Sequence, residues 1–446
     1  MLVDAEHFLY VSHAGCNKDA IALGAWMSDE TLVVMGLGYV GLPLAYAAQC
    51  SGINVVGLDV NQSTVDELNA GRSHIDDVSD ANVQEMLNLG FQATSDSTLI
   101  SQVSTVVICV PTPLSMNGGP DLSYVEAAGR AISANLQPNQ LIILESTTYP
   151  GTTEEVLVPL LEESGLRAGV DFYCAFSPER IDPGNTSFGI TNTPKVVGGI
   201  NEDSTSQATA FYGRFVKEVV AAKGAREAEL AKLIENTYRH VNIALMNELV
   251  KFCHELNINL WDAISCASTK PFGYEAFFPG PGVGGHCIPI DPNYLSHRVR
   301  THLGQPFRFI ELAQEINDGM PAYVARRVQG LLNDRGKAVK NAQILLLGVT
   351  YKANIADQRE SPAEAVARAL IALGANVVFH DPHVKSWPVD GVVLECVEDL
   401  SREVGSVDVI VLLQSHDKYV TFDDWPNNTP ILDTRGVLSS AEAQAL

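Results

Sequence analysis

The sequence predicts an α/β protein: two Rossmann-like, doubly wound domains joined by a long central helix within a helical linker segment. Three observations predict it. A strand–glycine turn–helix–strand unit opens near residue 31, a second unit of the same order begins near residue 341, and between them lies an apolar repeat at helical spacing without glycine or proline. The 446 residues leave room for about three domains at roughly 150 residues each. The expected boundaries are an extension over 1–29, a first domain over 30–220, a central helical segment over 221–334 and a second domain over 335–446.

The first unit begins with the strand TLVVMG. The helix LGYVGLPLAYAAQCSG follows and is expected to end near Gly52, then the strand INVVGLD, ending at Asp59. NQSTVDELNAG reads as the next helix, with Asn61 or Ser63 as cap and Gly71 as stop. STVVICVPTP and QLIILEST are apolar enough to be buried on both faces of a parallel sheet. DFYCAFSPER and KVVGGI continue the strand pattern. Residues 226–264 carry Leu230, Leu233, Ile234, Tyr238, Val241, Leu245 and Leu249 at helical spacing and read as one helix. Its length suits a spine between domains or a subunit interface. A Gly/Pro-rich loop covers Phe277 to Pro292, and another helix is expected over 306–334. The second unit runs through NAQILLLGVTYK, SPAEAVARALIALGA, NVVFHDP, VDVIVLL and PILDT. It echoes the first, with Asp381 in the place of Asp59, but without the glycine pattern.

The net charge of −24, from 29 Lys and Arg against 53 Asp and Glu, argues against a nucleic-acid partner, because there is no basic excess to meet phosphates. An anionic small ligand needs local cations, for which Lys352, Arg239 and Lys270 are available. The eight cysteines are scattered, with neither C-x-x-C spacing nor a zinc-like pairing with histidine, so no metal is expected. They read as reduced thiols of a cytoplasmic protein. No apolar run reaches membrane-spanning length, so no membrane partner is expected. Residues 1–29 carry early acids and no continuous apolar stretch, unlike a signal peptide.

Gly36-Leu37-Gly38-Tyr39-Val40-Gly41 fits G-x-G-x-x-G. Alone that is a weak signal, and a ligand-free glycine-rich turn is the plain alternative. Here it follows a strand, opens a helix and precedes an acid at the end of the next strand. Gly36 permits the tight turn, Gly38 lets backbone approach a pyrophosphate, and Gly41 lets helix pack on strand. Asp59 is expected to accept from ribose hydroxyls and to repel a 2′-phosphate, which favours NAD over NADP. Cys287 stands apart from the other thiols in GVGGHCIPIDP, where glycines allow close approach. A dehydrogenase that carries an alcohol to an acid needs such a thiol. It captures the aldehyde as a thiohemiacetal, from which hydride leaves to give a thioester that water cleaves. A buried structural cysteine is the alternative.

GLGYVGLP, CVPTPL, ESTTYPGTT, FSPERIDPG, AKLIENTYRHVNIALMNE, FFPGPGVGGHCIPIDP and GVTYKANIADQRESP occur in the order seen in the UDP-glucose/GDP-mannose dehydrogenase family. The chain resembles that family from about residue 31 to 437, and the form of the cysteine loop looks most like its UDP-N-acetylglucosamine 6-dehydrogenase branch. The resemblance implies NAD-dependent four-electron oxidation of the C6 alcohol of a UDP-sugar, UDP-N-acetylglucosamine or UDP-glucose, with a homodimer or higher homo-oligomer. It also implies residue roles. Cys287 is the nucleophile. Lys232 stabilises oxyanion character at C6, with Asn236 one helical turn on. Asp291 handles water or protons near the thiol, Glu179 serves thioester hydrolysis and substrate contact, and Thr147 orders a water. Thr112 and Glu145 line the cofactor. Lys352 reaches the nucleotide sugar and Arg359 the cofactor. The loop from Phe278 to Gly284, with Gly280 and Gly282, packs on substrate; Arg180, Arg239 and Tyr351 are further substrate-side candidates.

The plain alternatives are a solvated helix lysine at 232, a helix cap at Asp291, and a Glu179–Arg180 surface pair worth under about 1 kcal/mol. A lone lysine at its ordinary pKa, near ~10.4, is a poor general base, so Lys232 is cast as an electrostatic stabiliser. Ile181 departs from the polar residue expected after SPER. Two other functions fit parts of the pattern: a two-electron hydroxyacid-type dehydrogenase, which needs neither the thiol nor a second nucleotide domain, and a non-enzymatic nucleotide sensor. Another sugar or base is a further alternative within the first reading.

Overall fold

The structure is a computed structural model. It describes all residues except 1–29, 76, 116–118, 182–184, 186, 286, 287 and 289. The extension over 1–29 and Cys287 therefore lie outside the described residues. The chain divides into two compact units. One holds the residues up to Pro113 with Asp121–Lys232, and the other holds Leu114–Pro120 with Leu233–Leu446.

In the first unit β1 (Thr31–Met35), β2 (Asn54–Leu58), β3 (Gln92–Thr94), β4 (Thr105–Ile108), β5 (Leu141–Leu144), β6 (Tyr173–Phe176), β7 (Lys195–Gly199) and β8 (Val219–Ala221) form one sheet. Its order is β3-β2-β1-β4-β5-β6-β7-β8. The first six strands are parallel, and β7 runs antiparallel to β6. That order, 3-2-1-4-5-6, is the dinucleotide-binding arrangement with its switch point between β1 and β4. The apolar runs make this sheet because both faces are covered. Leu32 and Val34 point into one core, Val33 and Met35 into the other, each side chain contributing about 1.5–3 kcal/mol when fully buried.

The second unit repeats the principle. There β9 (Gln343–Leu347), β10 (Asn376–His380), β13 (Val409–Leu412), β14 (Ile431–Asp433) and β15 (Ala443–Ala445) form an all-parallel sheet in the order β10-β9-β13-β14-β15, while β11 (Ser386–Val389) and β12 (Val392–Glu395) form a separate hairpin. Ile344 and Leu346 face one core, Leu345 and Leu347 the other. Counted within the unit the order is 2-1-3-4-5, a doubly wound sheet with its crevice between β9 and β13.

Three details differ from expectation. The helix expected over 226–264 ends at Glu255, and a separate helix, Leu260–Ser268, follows. Asn257 takes a left-handed conformation (φ 54°), and the Asn259 side chain caps the new helix by accepting from Asp262 N, so two asparagines end one helix and start another. The stretch 306–334 is two helices, Arg308–Asp318 and Met320–Asn333. Pro321, in the first turn of the second, lacks the N–H that would continue the first. Cys109, Cys174, Cys253, Cys266 and Cys396 are free thiols, but Cys50 is disulfide-bonded, against the expectation of reduced thiols throughout. Among the described residues no helix is long and apolar enough to cross a membrane.

Candidate active site

The turn after β1 is shaped for a dinucleotide. Gly36 holds φ 90°, and a Cβ there would meet the Cys109 carbonyl oxygen at 2.7 Å. Gly41 lies so close to that turn that a Cβ would sit 1.8 Å from Gly36 O. Around Gly38 there is open space, with nothing within 4 Å of where a Cβ would be. A turn closed at its two outer glycines and open at the middle one is a cradle for a pyrophosphate, at the N-terminal end of the helix Gly41–Cys50. Asp59 locks the turn: its Oδ2 accepts from Leu37 N at 2.9 Å and its Oδ1 from Asn61 N at 2.8 Å. A carboxylate has further lone pairs for ribose hydroxyls. The residues present therefore fit NAD. Tyr39, Val40 and Thr112 are partly buried beside the turn and the end of β4.

At the carboxyl ends of β5, β6 and the start of β7 the first unit buries a polar cluster. Glu145 is fully enclosed; Lys195 Nζ is ion-paired with it, and Tyr212 OH donates to Glu145 Oε2 at 2.7 Å. Lys195 Nζ also lies 3.6 Å from Glu179 Oε2. Glu179 accepts at Oε1 from Ile181 N, while its buried Oε2 has no hydrogen-bond partner. Lys232 is buried and donates from Nζ to the Glu179 main-chain oxygen. Burial, outweighing the attraction of Lys195, pushes Glu145 up to about 7. Burial works on Glu179 in the same direction, but Lys195, Glu145, the Ile181 N–H and Lys232 together hold it below the usual carboxylate range.

This cluster bears on two readings of the sequence. The Glu145 carboxylate, expected beside the cofactor, is buried against Lys195 and Tyr212. Glu179 pairs with Lys195 rather than Arg180, whose Nη1 donates to Pro194 O at 2.7 Å. Lys232 is no solvated helix lysine. Thr147 is only half-buried, whereas the hydroxyl of Thr148 beside it is fully buried with no hydrogen-bond partner. Glu229, on the same helix as Lys232, accepts from Gly151 N (2.5 Å), Thr153 N (2.8 Å) and Thr153 Oγ1 (2.7 Å) and so braces the STTYPGTT turn. Lys195, Tyr212, Thr148 and Glu229 all escaped sequence reasoning. The one available signal was a lysine opening an otherwise apolar strand, KVVGG.

In the second unit Asn236 Nδ2 donates to Asp291 Oδ2 at 2.5 Å, both side chains being buried. Asp291 begins the helix Asp291–Leu303, but Ile290 holds the cap position and no side chain caps the helix; the acid is engaged by Asn236 instead. The loop Phe278 to Gly284 is fitted to its surroundings through its glycines. Gly280 N donates to Asn247 Oδ1 at 2.9 Å, a Cβ on Gly282 would meet Pro362, and one on Gly284 would meet Tyr351 at 2.9 Å. Phe278 is half exposed and Arg239 exposed. Lys352 is partly buried after β9, and Arg359 is exposed and bidentate on Asp357.

The echo between the halves is physical. Gly348 holds φ 78°, its N–H donates to His380 O at 3.0 Å, and Val349 N donates to Asp381 Oδ2 at 2.8 Å. Gly36 to Leu58 O (2.8 Å) and Leu37 to Asp59 repeat the same pattern. One glycine of the fingerprint is thus retained. Asp381, however, is buried and also meets His416 Nε2 at 3.1 Å. His416 Nδ1 accepts from Asn354 N, so Nε2 carries the proton toward Asp381. Where Asp59 is partly open, Asp381 is internally satisfied.

The sequence matches three family models in order. They are the UDP-glucose/GDP-mannose dehydrogenase family NAD binding domain over residues 30–216, the central domain over 226–319 and the UDP binding domain over 345–440. The chain is 36% identical over 427 residues to UDP-N-acetyl-D-mannosamine dehydrogenase of Methanococcus maripaludis, covering 92% of this chain and 93% of that one. The chain belongs to the UDP-glucose/GDP-mannose dehydrogenase family. It is also 35% identical to the NDP-N-acetyl-D-galactosaminuronic acid dehydrogenase of Ralstonia solanacearum, over 93% of this chain and 98% of that one. The structure of the UDP-D-ManNAc dehydrogenase from Pyrococcus horikoshii superposes with a TM-score of 0.85 at 34% identity, covering 93% and 98% of the two chains. As a member of this family the protein is an NAD-dependent nucleotide-sugar dehydrogenase, and its third segment is the UDP-binding one. These relatives are named for N-acetylmannosamine and N-acetylgalactosaminuronic acid, not for the N-acetylglucosamine branch that the cysteine loop resembles.

Proposed function

We propose that this dehydrogenase oxidises the C6 alcohol of a UDP-linked N-acetylhexosamine to the uronate, in two hydride transfers, through a thiohemiacetal and a thioester on Cys287. The observation that carries the reading is the helix Ala225–Glu255. It presents Lys232 and Asn236 one turn apart, both buried, the first bonded to Glu179 and the second to Asp291. These are the partners that the resemblance assigns to one reaction. NAD, when bound, supplies the hydride acceptor for both oxidations. Lys232 Nζ stabilises negative charge on the C6 oxygen. Asn236 orients the Asp291 carboxylate. Glu179 Oε2, buried and without a donor, is available to take a proton from the water that cleaves the thioester. Thr148 is the better-enclosed hydroxyl of the Thr147–Thr148 pair for holding that water.

The relatives' names support an N-acetylated sugar, with UDP-N-acetylmannosamine first and UDP-glucose behind it. We also read the division into cofactor (30–220), helical (221–334) and nucleotide-sugar (335–446) segments as the functional one. The protein is read as a homodimer or higher homo-oligomer formed through the central helix. Ile234, Leu245 and Phe252 are exposed there and fall within about 20° of one another around the helix axis at 3.6 residues per turn.

The test is a panel of nucleotide sugars read by NADH absorbance. Two NADH per sugar is expected; one would favour the hydroxyacid-type reaction, and none on any sugar a sensor. Cys287→Ser is expected to abolish acid formation, and an unaltered NADH yield in that variant would overturn the covalent route.

A further inference from the structure

The polar cluster of the first unit contains a lysine with no part in the chemistry just described. Lys195 opens β7, is buried, and sits between two carboxyls: ion-paired with Glu145 and 3.6 Å from Glu179 Oε2. Glu145 is anchored on its far side by Tyr212 OH. Nothing in a parallel sheet requires such a group. A buried ion pair is weak evidence for stability, since desolvating two charges costs about what their attraction returns. Its placement is more informative. The one oxygen of the cluster that no hydrogen bond engages, Glu179 Oε2, is the oxygen nearest the ammonium on that side.

We propose that Lys195 is a positioning residue for the hydrolytic half of the reaction: its ammonium, shared between two buried carboxyls, holds Glu179 as a carboxylate whose Oε2 no hydrogen bond engages. This rests on the reading that Glu179 assists thioester hydrolysis. In that step water forms the new C–O bond and gives its proton to Glu179 Oε2. The C–S bond breaks, and its electron pair leaves on the Cys287 sulfur; nothing is oxidised or reduced. Glu179 must be ionised at the start. Burial opposes this. The groups facing it are Lys195, Glu145, Lys232 and Cys109. Of these the two lysines favour ionisation, and so does a hydrogen bond with Glu145.

The experiment follows decay of the acyl-enzyme, by intact-protein mass after rapid mixing with UDP-N-acetylmannosamine and NAD, from about pH 3 to about pH 8. In the parent enzyme the decay has an acid limb set by Glu179. In Lys195→Met that limb is expected to move up by about 1–3 pH units, the effect of removing an opposite charge within a few ångströms, and Lys195→Arg is expected to restore most of it. Lys195→Gln, a shorter polar replacement that also removes the ammonium, is expected to move the limb up in the same way. A purely structural role slows both variants without moving either limb. The proposal is overturned if the limb of folded Lys195→Met stays in place. It is overturned equally if the limb of folded Lys195→Gln stays in place, which decides the matter even where Lys195→Met does not fold. Glu179→Gln separates the two levels. Normal acyl-enzyme decay in that variant removes the role of Glu179 itself. A stalled Glu179→Gln with unmoved limbs in the other variants removes only the role of Lys195.

Discussion

Gly38 and Gly41 lie three residues apart in one motif, yet their replacement by alanine is expected to fail in different ways. At Gly41 an ideal Cβ falls 1.8 Å from Gly36 O, whereas real Cβ atoms do not come under 3.0 Å. The turn and the first helical residue must therefore separate by at least 1.2 Å (3.0 − 1.8). The turn cannot yield easily, because Gly36 is itself wedged against the Cys109 carbonyl. Overpacking of this size costs about 1–3 kcal/mol, and its contact with backbone rather than a flexible side chain puts it at the upper end. For a unit of this length that is a fall in melting temperature of about 4–12 °C, measured without NAD. At Gly38 the Cβ meets nothing within 4 Å, so stability changes by less than about 0.5 kcal/mol. The added methyl instead occupies the pyrophosphate cradle, and NAD affinity falls at least about tenfold, some 1.4 kcal/mol. The assay pairs thermal unfolding without cofactor with NAD titration calorimetry. A Gly41→Ala protein that melts with the parent, or a Gly38→Ala protein that binds NAD normally, would refute the assignment of turn and cradle.

Three further outcomes follow from the same kind of reasoning. Burial holds His240 neutral, down to about 4 from its ordinary 6.5; the unfolded chain then binds the extra proton between those values, so stability rises with pH there and is lost as pH falls from 6.5 to 4. The full effect is about 3 kcal/mol, and His240→Asn should flatten the acid side of the stability–pH curve in urea unfolding; an unchanged slope would contradict it. Glu229→Gln replaces a triple acceptor with a group that meets two backbone N–H donors at best through one oxygen. It should cost about 1–3 kcal/mol and loosen the STTYPGTT turn, seen as faster amide exchange at Gly151 and Thr153. Leu245→Glu, on the exposed apolar row of the central helix, should reduce the mass in solution to that of one chain; an unchanged sedimentation mass would move the interface elsewhere.

Much of the fold was legible because its signals are local. Buried parallel strands read as short apolar runs, helix ends carry Asn61, Gly52 and Gly71, and the fingerprint glycines are three and two residues apart. The two helix breaks, near Asn257 and at Pro321, lay in plain sight as residues but not as a pattern, because one helical repeat runs through both. The second unit's turn was half-legible. Asp381 could be matched to Asp59, but not the left-handed Gly348, since a single glycine carries no period.

The sequence by itself determined the class of chemistry: a cradle for NAD, a thiol in a glycine loop, and the acids and amides that the family pattern names. Only the tertiary structure decided what those groups do to one another. Glu145, counted as a cofactor neighbour, takes as its partners Lys195 and Tyr212, 50 and 67 residues away. Asp291 was as good a helix cap as a catalytic acid until Asn236, 55 residues away, was seen to hold it. The reason is that residue type sets what a side chain can donate, accept or ionise, whereas charge state and orientation depend on burial and on partners brought in from distant strands. Spacing along the chain does not encode those partners.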